Sequence, residues 1–114
     1  MPRLAGIALA IALAGCGVER DVRFVVETDG EARATELELR VDEETRFFEQ
    51  VAHGDDIVER GVLEGTRVSL KARNGGDEGR VLLRAFVDDC EVAEQHCDGT
   101  ACVSFVELTV DEGC

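Results

Sequence analysis

The chain has 114 residues, 45% of them apolar and 32% charged, the balance of one small globular domain rather than a disordered segment. Its 25 acidic and 12 basic residues leave a net charge of −13. That charge excludes nucleic acid as a partner, because phosphate needs a basic surface.

Met1-Pro2-Arg3 opens the chain with a positive charge, and Leu4 to Gly15 follows without any charge. Such a run falls short of the roughly 20 residues a membrane-spanning helix needs, yet it has the form of a secretory signal core. It ends in Leu13-Ala14-Gly15-Cys16, which resembles the lipobox of bacterial lipoproteins. There the peptide is cut before the cysteine, whose sulfur and new amine carry acyl chains that hold the protein on a bilayer. The resemblance implies a signal peptide over 1–15, a lipidated tether over 16–20 and a folded domain over 21–114. The competing reading is a plain signal peptide with an incidental cysteine. Gly17 stands where the inner-membrane retention signal of enteric bacteria has Asp, which favours the outer membrane.

Beyond the tether, period-two alternation recurs and no helical stripe does. Val22, Phe24 and Val26 alternate with polar neighbours up to a turn at Asp29-Gly30-Glu31. Leu37, Leu39 and Val41 alternate with Glu36, Glu38 and Arg40, the signature of a half-buried strand. Asp42-Glu43-Glu44 turns the chain into Thr45–Ala52, where Phe47 and Phe48 place aromatic mass on both faces. After a turn at His53-Gly54-Asp55-Asp56, residues 57–63 read as short and irregular.

Val68, Leu70 and Ala72 then point inward between Arg67, Ser69, Lys71 and Arg73. Asn74-Gly75-Gly76-Asp77-Glu78-Gly79 is the strongest loop signal, and Val81–Val87 is nearly continuous apolar sequence apart from Arg84, as expected of a strand buried on most of both faces. Asp88-Asp89 turns the chain into Cys90–Gln95, expected to form a hairpin with Cys102–Val110 across Asp98-Gly99. Seven or eight short antiparallel strands with frequent turns make a β-sandwich. Its expected core is Phe24, Leu37, Leu39, Val68, Leu70, Leu83 and Val106.

With Cys16 assigned to lipid, Cys90, Cys97, Cys102 and Cys114 form an even set in an oxidising compartment. A hairpin would make Cys97 and Cys102 neighbours, within the roughly 4.4–6.8 Å between Cα atoms that a disulfide requires. By elimination Cys90 would pair with Cys114. Zinc, held by these thiolates beside His96, is the weighed alternative; exported thiols oxidise first.

The segments Val22–Val26, Gly30-Glu31-Ala32, Gly65–Ala72, Asn74–Gly79 and Val81–Val87 closing on Asp88-Asp89 occur in an order that resembles the MmpS family. These are the small accessory proteins of mycobacterial lipid and siderophore exporters. The resemblance covers roughly Val22 to Leu108 and implies an immunoglobulin-like sandwich without catalytic residues. In that family one N-terminal helix is the anchor, where this chain has a lipobox.

Nothing in the sequence assembles a catalytic set. Ser69 and Ser104 lie in expected strands outside any Gly-x-Ser-x-Gly turn. His53 and His96 read as solvated loop residues. The 74–79 loop has no helix after it to cradle phosphate. Asp55-Asp56, Asp88-Asp89 and Asp111-Glu112 offer calcium oxygens, but the simpler reading is that they keep turns and sheet edges soluble. No cofactor or metal is expected.

The expected protein is a lipid-anchored, disulfide-stabilised, immunoglobulin-like β-sandwich of the cell envelope without enzymatic activity. It would dock to an envelope transporter or another envelope protein. The alternative is a free-standing surface adhesin or a binder of small ligands or cations.

Overall fold

A computed structural model describes residues 17–111. Eight strands run in order: β1 (Glu19–Gly30), β2 (Ala34–Val41), β3 (Glu44–Val51), β4 (Asp56–Leu63), β5 (Arg67–Asn74), β6 (Gly79–Val87), β7 (Cys90–Asp98) and β8 (Val103–Thr109). They form two four-stranded sheets, ordered β4-β1-β6-β7 and β3-β2-β5-β8. Every paired strand is antiparallel to its neighbour. Only β2–β3 and β6–β7 are hairpins; each of the other connections carries the chain from one sheet to the other. β1 begins at Glu19, two residues before the expected domain start.

Alternation set the inner faces correctly. All seven expected core residues are at most 1% exposed, and Val22, Val26, Ala72, Val81, Ala85 and Val87 join them. Removing such side chains from water is what holds the sheets together, at about 25 cal/mol per Å² of apolar surface. Val41 and Phe48 pack at the rim of this core, while Phe47 turns outward, 74% exposed. β2 departs from strict alternation at Glu36, whose φ of 50° marks a bulge where its register with β5 shifts. The extra residue lets both Ala34 and Leu37 face inward.

Two segments differ from expectation. Residues 56–63 form one strand, β4, whose irregular pattern comes from the bulge opposite Arg20–Val22, near Gly61 with its φ of 66°. The larger correction is at the C-terminus. β7 and β8 are not a hairpin: β7 pairs with β6, and β8 pairs with β5 in the other sheet. Asp88-Asp89 explains the first pairing. Both residues have positive φ, 49° and 68°, as a type I′ turn requires, and that turn matches the twist of a hairpin.

Candidate functional site

Cys16 and Cys114 lie outside the described residues, and with them the expected lipid site and the expected Cys90–Cys114 bond. Cys90 is engaged in a disulfide. Cys97 and Cys102 are bonded, with Cα atoms 5.8 Å apart. The bond was expected across a hairpin; it instead spans the corner where the chain leaves the first sheet for the second. Ser104, 1% exposed, reinforces that corner by donating its hydroxyl proton to the Gln95 carbonyl at 3.2 Å.

The glycine-rich loop is packed rather than open. Asn74 is 1% exposed, and its side-chain oxygen accepts from the Arg33 and Gly76 amides at 3.1 and 2.9 Å. Its side-chain amide donates to the Asp77 and Gly99 carbonyls at 2.8 and 2.9 Å. One side chain thus joins the β1–β2, β5–β6 and β7–β8 connections, with all its polar groups satisfied. Gly76 lies so close to this knot that a Cβ would collide with the Glu31 carbonyl oxygen.

The two histidines stand apart. His53 Nδ1 accepts the Thr28 amide at 2.9 Å, completing a strand edge where β4 has not yet begun. His96 lies 3.5 Å from Asp98 on the exposed side of β7. Ser69 is buried within β5, away from either imidazole in the register. Asp88 is drawn to the base of β1: its carboxylate accepts the Asp21 amide and Arg20 Nη1, both at 3.0 Å. The amide first and the guanidinium second hold its pKa below the ordinary carboxylate value. Asp21, Asp56, Asp88 and Asp89 border a hollow of about 420 Å³, but Arg23 and Arg60 border it as well. Among the described residues no group of three or more His, Cys, Asp or Glu is disposed to hold a metal.

A groove of about 530 Å³ opens instead on the outer face of the second sheet, lined by Leu37, Phe47, Phe48, Val103, Lys71 and Arg73, with Glu36, Glu38 and Glu49. The register explains its composition. One row across the sheet runs Phe47, Glu38, Lys71, Phe105, and the next runs Gln50, Thr35, Arg73, Val103. Phe47, Val103 and Phe105 are 74%, 51% and 49% exposed. Lys71 lies 3.6 Å from Glu38, and Arg73 lies 3.9 Å from Glu36, both beyond hydrogen-bond length. This volume falls within the range of binding sites, and five charged side chains frame its apolar walls. The groove draws on four strands, so no local motif announced it; the exposed Phe47 beside a half-buried Phe48 was its one visible sign.

No protein-family model matches the chain, and no curated protein matches it in sequence.

Proposed function

We propose that this chain is a lipid-anchored, non-enzymatic binding module of the bacterial envelope. It is tethered through acylated Cys16 and presents the outer face of its second sheet to another envelope component, in the manner of MmpS-type accessory proteins. The groove beside Phe47 and Val103 is the observation that carries this reading, because exposed apolar side chains framed by charge mark interaction sites. An enclosed cavity would favour the small-ligand alternative; this groove is open along the sheet. The cation-binding alternative would draw on Asp21, Asp56, Asp88 and Asp89, and the hollow they border also holds Arg23 and Arg60.

The tether suits such a role. The Val18 carbonyl already accepts the Glu64 amide at 2.8 Å, so Gly17 alone separates Cys16 from the docked chain. At about 3.8 Å per residue the base of the sandwich would then stand close against the bilayer, with the groove on its flank. The immunoglobulin-like reading draws support from the two packed sheets. In constant-type immunoglobulin domains the first two strands share a sheet; here β1 and β2 lie in different ones.

Anchoring and binding are tested together in cells. The mature protein is expected to begin at Cys16 and to sediment with outer-membrane fractions. Cys16→Ser should release it or leave it uncut. A membrane-bound Cys16→Ser product cut before residue 16 would remove the anchor from this reading. Phe47→Asp with Val103→Asp should abolish co-purification of the partner while the chain melts as before. Unchanged co-purification would remove the groove.

A further inference from the structure

The outward rows of the second sheet share one pattern of charge. From β3 across to β8 the row through Phe47 reads Phe47, Glu38, Lys71, Phe105: apolar, acidic, basic, apolar. In the row through Val103, Arg73 of β5 lies opposite Thr35 of β2, and Glu36 stands in the bulge beside Thr35. Acid is again on β2 and base on β5. In the row on the other side of Phe47 the signs change places together, with Arg40 on β2 and Glu107 on β8. In every one of these rows the β3–β2 half of the face and the β5–β8 half carry opposite charge.

A two-fold axis running along the strands, between β2 and β5, lays each half of this face on the opposite half of a second copy. Glu38 then meets Lys71 of the second copy, Lys71 meets its Glu38, and Phe47 meets Phe105 on both flanks. Such an isologous contact is self-complementary. An axis across the strands instead sets β2 on β2 and β5 on β5, acid on acid and base on base. The anchor selects the same axis. Val18 bonds to Glu64 at the end of the sandwich where the Gly65 amide donates to the Val110 carbonyl and the Asp42 amide to the Arg67 carbonyl. That end belongs to both sheets, and rotation about the strand direction keeps it facing one way in both copies. Both Cys16 residues then reach one bilayer, whereas the crosswise axis points one of them away.

We propose that the component this face meets is a second copy of the same chain, in a parallel dimer with both anchors in one membrane. This rests on the reading of the chain as a lipid-anchored binding module and names its partner. A net charge of −13 sets two copies against each other at long range, and a face that mixes both signs relieves that repulsion at contact. The exposed Phe47, Val103 and Phe105 supply the apolar area, and the charged rows fix the register. Four strands of this length present roughly 450 Å² of flat face per copy, small for an interface. Confinement of both copies to one bilayer raises their effective concentration and offsets the small area.

The test uses the full lipidated chain, carrying a donor or an acceptor fluorophore, purified and diluted into phosphatidylcholine vesicles so that no other protein is present. The parent should show energy transfer between copies. Glu38→Lys alone and Lys71→Glu alone should each weaken it about tenfold, because like charges then meet twice across the axis. Mixing the Glu38→Lys chain with the Lys71→Glu chain should restore it, since the lysines of one copy face the glutamates of the other at both places. If either variant melts below the parent, Glu36→Lys and Arg73→Glu make a second pair of the same kind. Transfer absent from the parent, undiminished in the single variants or not restored on mixing would overturn the inference. The two readings fail separately. A parent without transfer, whose Phe47→Asp, Val103→Asp form still loses a co-purified envelope component, removes the second copy and keeps the binding face. Release of Cys16→Ser from membranes is read apart from both.

Discussion

On the outer face of the first sheet, charge closes over the apolar surface of the two central strands, although Val58 and Val92 of the edge strands stay exposed. Arg84 stands within 3.7 Å of Glu27, Glu91 and Glu94, and Arg23 lies 4.4 Å over the Phe86 ring. Phe86, Val25 and Leu82 are consequently only half exposed. The second sheet carries similar residue types outward and similar ion pairs, Lys71 3.6 Å from Glu38 and Arg73 3.9 Å from Glu36, yet Phe47, Val103 and Phe105 stand open. The difference teaches which face has apolar surface left to bury. A face whose aromatic ring lies beneath a guanidinium is covered, whereas a face whose aromatic rings stand bare has apolar surface left to bury.

If the faces differ only outward, their inner sides must be equivalent. Leu70→Ala from the second sheet and Leu83→Ala from the first should each cost about 2–5 kcal/mol in denaturant melts, as fully buried leucines do. A small loss at one of the two would break the symmetry of the core. Asn74→Ala should cost about 3 kcal/mol, because it strands the Arg33 and Gly76 amides together with two carbonyls. A neutral effect would mean that the knot at that end is not held by this side chain.

The faces themselves are contrasted by smaller effects. Arg84→Ala should cost about 1 kcal/mol, since it leaves three carboxylates facing one another, whereas Lys71→Ala should stay within about 0.5 kcal/mol. Equal costs in thermal melts would erase the distinction between a closed and an open face. Phe47→Asp should likewise stay within about 0.5 kcal/mol of the parent, while co-purification of the partner is lost.

Acid adds a further measurement on the first sheet. Because the Asp88 pKa is lowered on folding, its contribution is present above the unfolded carboxylate value near 3.9 and is lost as pH falls through the lower folded value. Asp88→Asn should therefore flatten the dependence of stability on pH below about 4. An unchanged acid limb would separate Asp88 from the Arg20 and Asp21 contacts.

Alternation made the inner faces of β1, β2, β5 and β8 legible in the sequence, from Phe24 through Val106, because side chains on a strand change sides at every residue. Turn chemistry located Asp88-Asp89, and spacing found the Cys97–Cys102 pair. Neither could say who neighbours whom. Cys97 and Cys102 are near each other both in a hairpin and at a corner between sheets, so the correct bond came with the wrong strand pairing. Asn74 read as the start of a loop, because its partners at Arg33 and Gly99 are distant in sequence.

The sequence by itself determined an all-β chain, the residues inside it and the acidic exterior; these follow from local periodicity and composition. The tertiary structure alone decided that β8 joins β5 and that Phe47, Lys71, Arg73 and Val103 share one groove. The physical reason is that alternation specifies which face of a strand meets the core, while the choice of neighbour depends on how turns and buried side chains from distant segments fit together.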